Sequence, residues 1–221
     1  MRMRAPFCLI IALLAIPHAT SAQGFAVGGR AGTLGLGAEA AFGFSNDFAI
    51  RGGIGSFSFF DFTGDYEDVE YTITPPSPIG TLGIDFYPGG GSFRLMAGIM
   101  IRDGDLEMDS GDISQGGPIE IGDNEYTEAG TLHGIMATKS KAPFVGLGFG
   151  HHTEGGFGFF ADFGVALVGD PDVTVTAEGP IASVPGFQQD LDKHIQEIED
   201  EAAPYLKYWP IISVGVKIPF N

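Results

Sequence analysis

Seven stretches of the chain alternate apolar residues with small or polar ones. This is the pattern of β-strands whose two faces meet different surroundings, because successive side chains of a strand point to opposite sides. The stretches are Phe25 to Phe44, Phe48 to Phe60, Ile79 to Tyr87, Phe93 to Asp103, Phe144 to Gly150, Phe157 to Val168 and Tyr208 to Phe220. Most approach the roughly 9–11 residues that a tilted strand needs to cross a membrane. The pattern predicts an all-β protein, an antiparallel transmembrane β-barrel.

The strand count depends on the first stretch. Phe25 to Phe44 is much longer than most of the others, and splitting it near Thr33 to Gly35 gives eight strands. Bacterial single-chain barrels normally have an even number of strands, which eight satisfies. The alternative keeps one long strand and takes the eighth from Val173 to Ala177 or from Glu125 to Ile135.

The connections between these stretches fall into two classes. Three are short and rich in turn-forming or small polar residues, and three are long and acidic. The short ones are Ser45 to Asp47, Pro88 to Gly91 and His151 to Gly156, and the long ones are Asp61 to Pro78, Gly104 to Ala142 and Gly169 to Leu206. Short turns on one side and long loops on the other are typical of an outer-membrane barrel, with the long loops outside.

One segment of the last long loop has helical periodicity. Apolar residues recur at spacings of three and four from Phe187 to Ala202, and Pro204 is expected to end the helix. We predict a helix that folds over the barrel mouth as a lid. The alternative is a helix that binds a partner.

Charged residues lie on the face of the strands opposite the apolar side chains. They are Arg30, Glu39, Arg51, Asp85, Arg94, Arg102, Asp162 and Lys217. In a soluble carrier of the lipocalin kind the apolar face would point inward. The loop asymmetry and the terminal phenylalanine favour the reverse, with even-numbered residues from Ile212 to Phe220 in lipid and the charges in the lumen.

The interior of an eight-stranded barrel is wide enough only for side chains to fill it. Since an isolated buried charge is very costly, the eight lumen charges are predicted to pair in a network that stabilises the barrel. The alternative is a gate that opens to ions. A four-residue turn at Pro88 to Gly91 would place Asp85 directly opposite Arg94.

The first residues indicate the compartment. Arg2 and Arg4 precede a short apolar stretch, Phe7 to Ile16, and small residues follow as far as Ala22. This is the pattern of a secretory signal peptide. We predict that residues 1–22 are removed and that residues 23–221 form one barrel domain. Cys8 would leave with the signal, so no thiol or disulfide chemistry is expected of the mature chain.

The composition and net charge of the chain argue against some functions. The formal net charge of −17 argues against nucleic acid, which a protein binds through cationic side chains. After the signal segment no run of about 18 apolar residues occurs, which excludes helical membrane spans. The chain also has 35 glycines and 19 phenylalanines. Glycine averages only roughly 7% in soluble proteins, so this composition favours a membrane barrel.

Several segments resemble a known group of proteins. "TLGLGAEAAFGFSNDFAIRGG", "IDFYPGGGSFRLMAGI" and the closing strand that ends in Phe220 resemble the OmpA, OmpX and OmpW-like group of small outer-membrane β-barrels. That group usually ends on the aromatic residue itself, whereas Asn221 follows here. The resemblance covers most of residues 24–221 and implies the outer membrane of a Gram-negative bacterium. It selects no activity, since the group includes anchors, adhesins, small pores and a few lipid-modifying enzymes.

Two segments carry candidate ligand groups. Asp103, Asp105, Glu107 and Asp109 alternate in sequence, so an extended strand would present four carboxylates on one face to loosely bound Ca²⁺ or Mg²⁺. The interpretation favoured here is a solvated, charged loop leaving the membrane, and the cation site is the alternative. "HHTE", His151 to Glu154, brings imidazoles close to a carboxylate. We predict no site there, because the segment forms a short turn without a second ligand group nearby in sequence.

These observations favour a monomeric, non-enzymatic barrel with a structural, surface-interaction or narrow-pore role. Its expected partners are outer-membrane lipid, lipopolysaccharide and the barrel-assembly machinery. The alternatives are a gated small channel for ions or hydrophobic compounds and, more remotely, a lipid-modifying enzyme. No nucleophile motif such as G-x-S-x-G occurs in the chain.

Overall fold

The structure is a computed structural model that describes residues 24–60, 62–66, 69–113, 118–153 and 156–220. The predicted signal peptide and Glu154 lie outside these ranges. Within the described ranges, no helix is both long enough and apolar enough to cross a membrane.

The described residues form fifteen strands and one α-helix, α1 (Phe187–Leu206). In chain order the strands are β1 (Phe25–Gly32), β2 (Leu36–Gly43), β3 (Phe48–Ser56), β4 (Phe62–Tyr66), β5 (Val69–Thr74), β6 (Ile79–Phe86), β7 (Phe93–Arg102), β8 (Leu106–Ser110), β9 (Ile119–Ile121), β10 (Asn124–Tyr126), β11 (Thr131–Ala137), β12 (Lys141–Phe149), β13 (Gly158–Leu167), β14 (Asp172–Glu178) and β15 (Tyr208–Phe220).

Eight of these strands close into an antiparallel barrel in the order β1-β15-β13-β12-β7-β6-β3-β2. The predicted fold class and strand count are therefore confirmed. The long first stretch does split, because Gly35 adopts a φ of 80° and its N–H donates to the carbonyl of Gly32 at 2.9 Å. The alternative count is wrong. Val173 to Ala177 lies in β14, and Glu125 to Ile135 is divided between β10 and β11, outside the barrel.

The two ends of the barrel differ. The three short connections lie at one end, where Phe25 pairs with Phe220 and both termini of the barrel meet. We call this the turn end. The opposite end, where β1 and β2 join through Thr33 to Gly35, is the loop end.

The outer wall is apolar and the interior is polar. On β15, Ile212, Val214 and Ile218 expose half or more of their surface, whereas Ser213 and Lys217 are buried. This is the arrangement predicted for a barrel in lipid and the reverse of a lipocalin. Inward positions are often glycine because the interior is crowded. A Cβ on Gly215, for example, would lie 2.3 Å from a ring carbon of Phe160.

The long connections contain a second sheet that was not predicted. Strands β4, β5, β8, β11 and β14 form a five-stranded sheet in the order β14-β11-β8-β5-β4. Each of these strands is adjacent in sequence to one barrel strand: β14 to β13, β11 to β12, β8 to β7, β5 to β6 and β4 to β3. The five barrel strands are neighbours in the same order as the five strands of the sheet. We call it the loop-end sheet. It continues one side of the barrel wall after short interruptions, two of which contain Gly104 and Gly169 with φ of 79° and 81°.

Helix α1 packs on the loop-end sheet through the apolar stripe predicted from sequence. Phe187 and Leu191 are buried, and they form a core with the β9–β10 hairpin and with Leu132 and Val175 of the sheet. The predicted end at Pro204 is wrong, because the helix continues to Leu206. A proline in the last turn removes one backbone donor, and the rest of the turn persists.

Candidate functional site

The strands of the barrel carry charged side chains into a single cluster inside the lumen. Six residues come from the strands, and His152 joins them from a turn. We call these seven residues the lumen cluster: Arg30, Glu39, Arg51, Asp85, Arg94, His152 and Asp162. Each of these residues is less than 9% exposed. Strand alternation explains the inward direction, since the neighbours of each charged strand residue face the outer wall.

Arg51 on β3 lies at the centre of the lumen cluster. Its Nε is 2.9 Å from Asp85 Oδ2, and its Nη1 is 2.7 Å from Asp162 Oδ2 and 3.2 Å from Glu39 Oε2. One guanidinium therefore bonds to carboxylates from β2, β6 and β13. Arg94 on β7 donates to Asp162 Oδ1 and to the carbonyl of Gly150, which adds a second bridge across the lumen.

The predicted register between Asp85 and Arg94 is wrong by two residues. Asp85 lies opposite Met96, and the last pair of the hairpin is Phe86 with Leu95. The reason is that Tyr87 leaves the ladder, and its N–H donates to the carbonyl of Asp47 in the adjacent hairpin. A shift of two residues keeps both side chains on the same face. Arg94 Nε therefore still lies 3.6 Å from Asp85 Oδ2, as a diagonal contact.

His152 is the member of the lumen cluster that sequence reasoning missed. The turn from His151 to Thr153 folds into the barrel, and His152 Nε2 lies 2.5 Å from Glu39 Oε1. The hydroxyl of Tyr87 lies 3.4 Å from Nδ1 of the same ring. The acidic partner is 113 positions away in sequence, so no local spacing reveals it.

The same turn closes the turn end of the lumen. The ring of His151 stacks on Tyr87 with centroids 3.9 Å apart, and both residues are buried. Thr153 packs closely against Gly24, just before β1, and against Gly43 of β2. A Cβ atom added to either glycine would lie less than 3 Å from an atom of Thr153. We call His151 to Thr153, together with Tyr87, the plug.

The loop-end half of the lumen is filled by apolar side chains. Its buried residues are Leu34, Ile79, Met96, Met100, Ala142, Phe144, Ala166, Val168 and Ile211, with Phe57 and Trp209 packed against them. A cavity of about 20 Å³ lies where this layer meets the lumen cluster. A volume of that order holds a single water-sized species. The plug, the lumen cluster and the apolar layer thus fill the lumen along its length.

Two of the eight predicted lumen charges lie outside the lumen cluster. Arg102, near the loop end, donates from Nη2 to the hydroxyl of Thr138, and its guanidinium lies 5.8 Å from the ring of Trp209. Lys217 is buried on β15 beside Gly158, where a Cβ would approach its side chain to 3.0 Å. The predicted network therefore brings together six of its eight residues.

The four alternating carboxylates do not form a cluster. The chain turns at Gly104, with a φ of 79°, so Asp103 and Asp105 precede β8 rather than extending it. Within the described part of the chain, no group of three or more histidine, cysteine or acidic residues is placed to hold a metal ion. Asp109 instead pairs with His133 across the loop-end sheet, with Oδ1 and Nδ1 2.5 Å apart.

The pair of Asp109 and His133 gives a testable pH dependence. The hydrogen bond that the His133 imidazole donates to the Asp109 carboxylate raises the pKa of His133 above its ordinary value of 6.5. Because the pKa is raised in the folded state, the stabilisation is complete below the unfolded pKa and is lost as the pH rises through the folded pKa. We expect an NMR titration of His133 to have its midpoint above 6.5. Asp109→Asn should lower that midpoint, and an unchanged midpoint would contradict the pairing.

Comparison with known proteins places this geometry in a wider group. No family model matches the sequence, and no curated protein matches it. Among solved structures, CarO2 of Acinetobacter baumannii matches with a TM-score of 0.65 at 17% identity over 91% of this chain and 100% of that chain. The chain has the fold of small outer-membrane β-barrels. CarO of the same organism matches with a TM-score of 0.59 at 17% identity, over 88% and 97%. The resemblance predicted from sequence is therefore confirmed for the fold.

Proposed function

We propose that this protein is a non-enzymatic, monomeric outer-membrane barrel whose lumen is closed to solutes and whose function lies in its loop-end surface. The observation that carries the proposal is the filled lumen. The plug, the lumen cluster and the apolar layer succeed one another from end to end, with an internal cavity of only about 20 Å³ between the last two. Hydrated ions need a continuous path of wider cross-section.

The outer wall supports a place in the membrane. Large apolar side chains are exposed on every barrel strand except β1, among them Leu36, Ile54, Leu82, Leu95, Val145, Phe163 and Val214. Phenylalanines gather at the turn end, namely Phe42, Phe44, Phe48, Phe93, Phe149, Phe157, Phe159 and Phe220. An aromatic band at one rim is typical of a barrel that meets the lipid headgroups there. Outer-membrane lipid and lipopolysaccharide would surround this wall, and the barrel-assembly machinery would insert it.

The loop-end sheet is the part of the molecule best suited to contact other molecules. It has its own buried core with α1, so it holds a defined shape beyond the barrel. Its other face is polar and continuous, and Thr72, Asp109, His133 and Thr176 form one row across four strands. A rigid polar face on long connections is where function is usually found on such scaffolds.

A conductance measurement tests the closed lumen. We expect the folded wild-type protein to give no discrete current steps in a planar bilayer, with folding shown by its heat-sensitive gel mobility. Discrete steps from the wild type would contradict the proposal, because no described path through the lumen would carry them.

A gated channel is the second candidate, and the plug is the observation that favours it. The plug belongs to a turn, and His152 joins it to the wall through Glu39. If the barrel is a gated channel, wild type should show rare openings, and His152→Ala should make them frequent. His133→Ala, which removes a histidine of the loop-end sheet, is the matched control and should change nothing.

A further inference from the structure

Arg30 on β1 has one guanidinium edge, Nε and Nη2, that bonds to none of the described residues. The residue is only 4% exposed, and its Nη1 donates to the hydroxyl of Thr81 at 3.2 Å. Its Nε and Nη2 are buried and have no hydrogen-bond acceptor among the residues that the structure describes. These two groups form the fork with which arginine binds an anion through two parallel hydrogen bonds. Leaving such donors unsatisfied in a protein interior is costly.

Arg30 also lines the cavity of about 20 Å³ at the boundary between the lumen cluster and the apolar layer. The cavity is further lined by Thr81, Arg51, Asp85 and Asp162, and by apolar residues that include Leu34 and Phe144. The hydroxyl oxygen of Thr81 accepts the bond from Arg30 Nη1, on the side of the guanidinium opposite the Nε–Nη2 edge. A cavity of this size holds a single water-sized species.

The charges around Arg30 favour an anion at this edge. Its ion pair with Glu39 is long, at 3.9 Å, whereas Glu39 is closer to Arg51 and His152, at 3.2 and 2.5 Å. The two aspartates of the cavity are each shared between Arg51 and Arg94. Among the three arginines of the lumen cluster, Arg30 thus has the weakest compensation from carboxylates.

We propose that the cavity is a binding site for a single halide ion, held by Nε and Nη2 of Arg30. The ion neutralises the least compensated arginine and satisfies its two buried donors. It also fills the boundary between the charged and apolar layers. The site is a structural one, and it stands whether or not the barrel conducts.

Bromide is the probe for the site, because it scatters anomalously and water does not. Crystals of the wild-type protein grown with sodium bromide in place of chloride should show an anomalous peak within hydrogen-bond distance of Arg30 Nε and Nη2. Density without an anomalous signal would mean water only and would overturn the proposal. An empty cavity would overturn it as well.

A second measurement uses protein in solution. Apparent unfolding temperatures are compared in sodium bromide and in sodium gluconate at equal ionic strength, since gluconate is too large for the cavity. Wild type should unfold at a higher temperature in bromide than in gluconate. Arg30→Lys keeps the charge but removes the two parallel donors, so this variant should lose most of the temperature difference between the two salts. Lys141 is an exposed cation of β12, and the control variant Lys141→Met should keep the difference. Equal differences in wild type and Arg30→Lys would overturn the proposal.

Discussion

Arg51→Met is expected to lower the free energy of unfolding by about 3–5 kcal/mol, the range for removing one partner of a buried ion pair. Methionine fills much of the same volume, so the loss is chiefly electrostatic. Arg51 compensates Glu39, Asp85 and Asp162 together, and without it the remaining cations of the lumen cluster face three buried carboxylates. Urea titration in lipid vesicles, followed by heat-sensitive gel mobility, measures the change.

Lys193→Met is the matched control for that variant. Lys193 pairs with Asp123, and both side chains are largely exposed to solvent. Exposed pairs contribute roughly 0–1 kcal/mol, so this variant should unfold almost like wild type. Similar losses in the two variants would mean that the lumen cluster is screened by water and does not hold the barrel together.

Val214→Arg is expected to cost roughly 2–4 kcal/mol when the protein is folded into a bilayer, the range for a cation on the lipid face near the midplane. Val214 lies near the middle of β15, is 60% exposed and pairs with Ala31 and Ala161 on the neighbouring strands. Its side chain therefore points out of the wall, where arginine would have to enter hydrocarbon. The free energy of unfolding from lipid vesicles measures the cost.

Two variants control for the other effects of this substitution. Val214→Leu keeps an apolar side chain at the same position and should be nearly neutral. Thr174→Arg places the same cation on the exposed face of β14 in the loop-end sheet and should also be tolerated. If Val214→Arg were as stable as Thr174→Arg, the outer wall of the barrel would not lie in lipid.

Much of the barrel could be predicted because strand alternation is a local property. A residue and its second neighbour share a face whatever the rest of the chain does, so the parity of Ile212 and Ser213 predicts opposite surroundings. The count of eight strands also follows from local sequence. The stretch from Phe25 to Phe44 is too long for a single strand across the membrane, so it must turn, and the structure has that turn at Gly35. The predicted helix from Phe187 rests on the same kind of local periodicity.

The loop-end sheet could not be predicted from the same signals. Its strands are short, and several are separated from a barrel strand only by a break of a few residues, as at Gly104. The sequence suggests Val173 to Ala177 of β14 only as a barrel strand, because nothing local shows that five segments of the long connections continue the barrel order. The expectation that Asp103 to Asp109 share one face does not hold for a related reason, since it assumes a strand that runs through Gly104.

The sequence by itself determined the fold class, the number of barrel strands and the face on which each strand residue lies, because these depend on alternation and on turn residues. The tertiary structure alone decided which charges meet. Barrel closure joins β1 to β15, and it brings Arg51 within bonding distance of carboxylates from three other strands. The backbone bond from Tyr87 to Asp47 set the hairpin register. The fold of the plug then placed His152 on Glu39, since contacts between distant segments depend on register and closure rather than on sequence spacing.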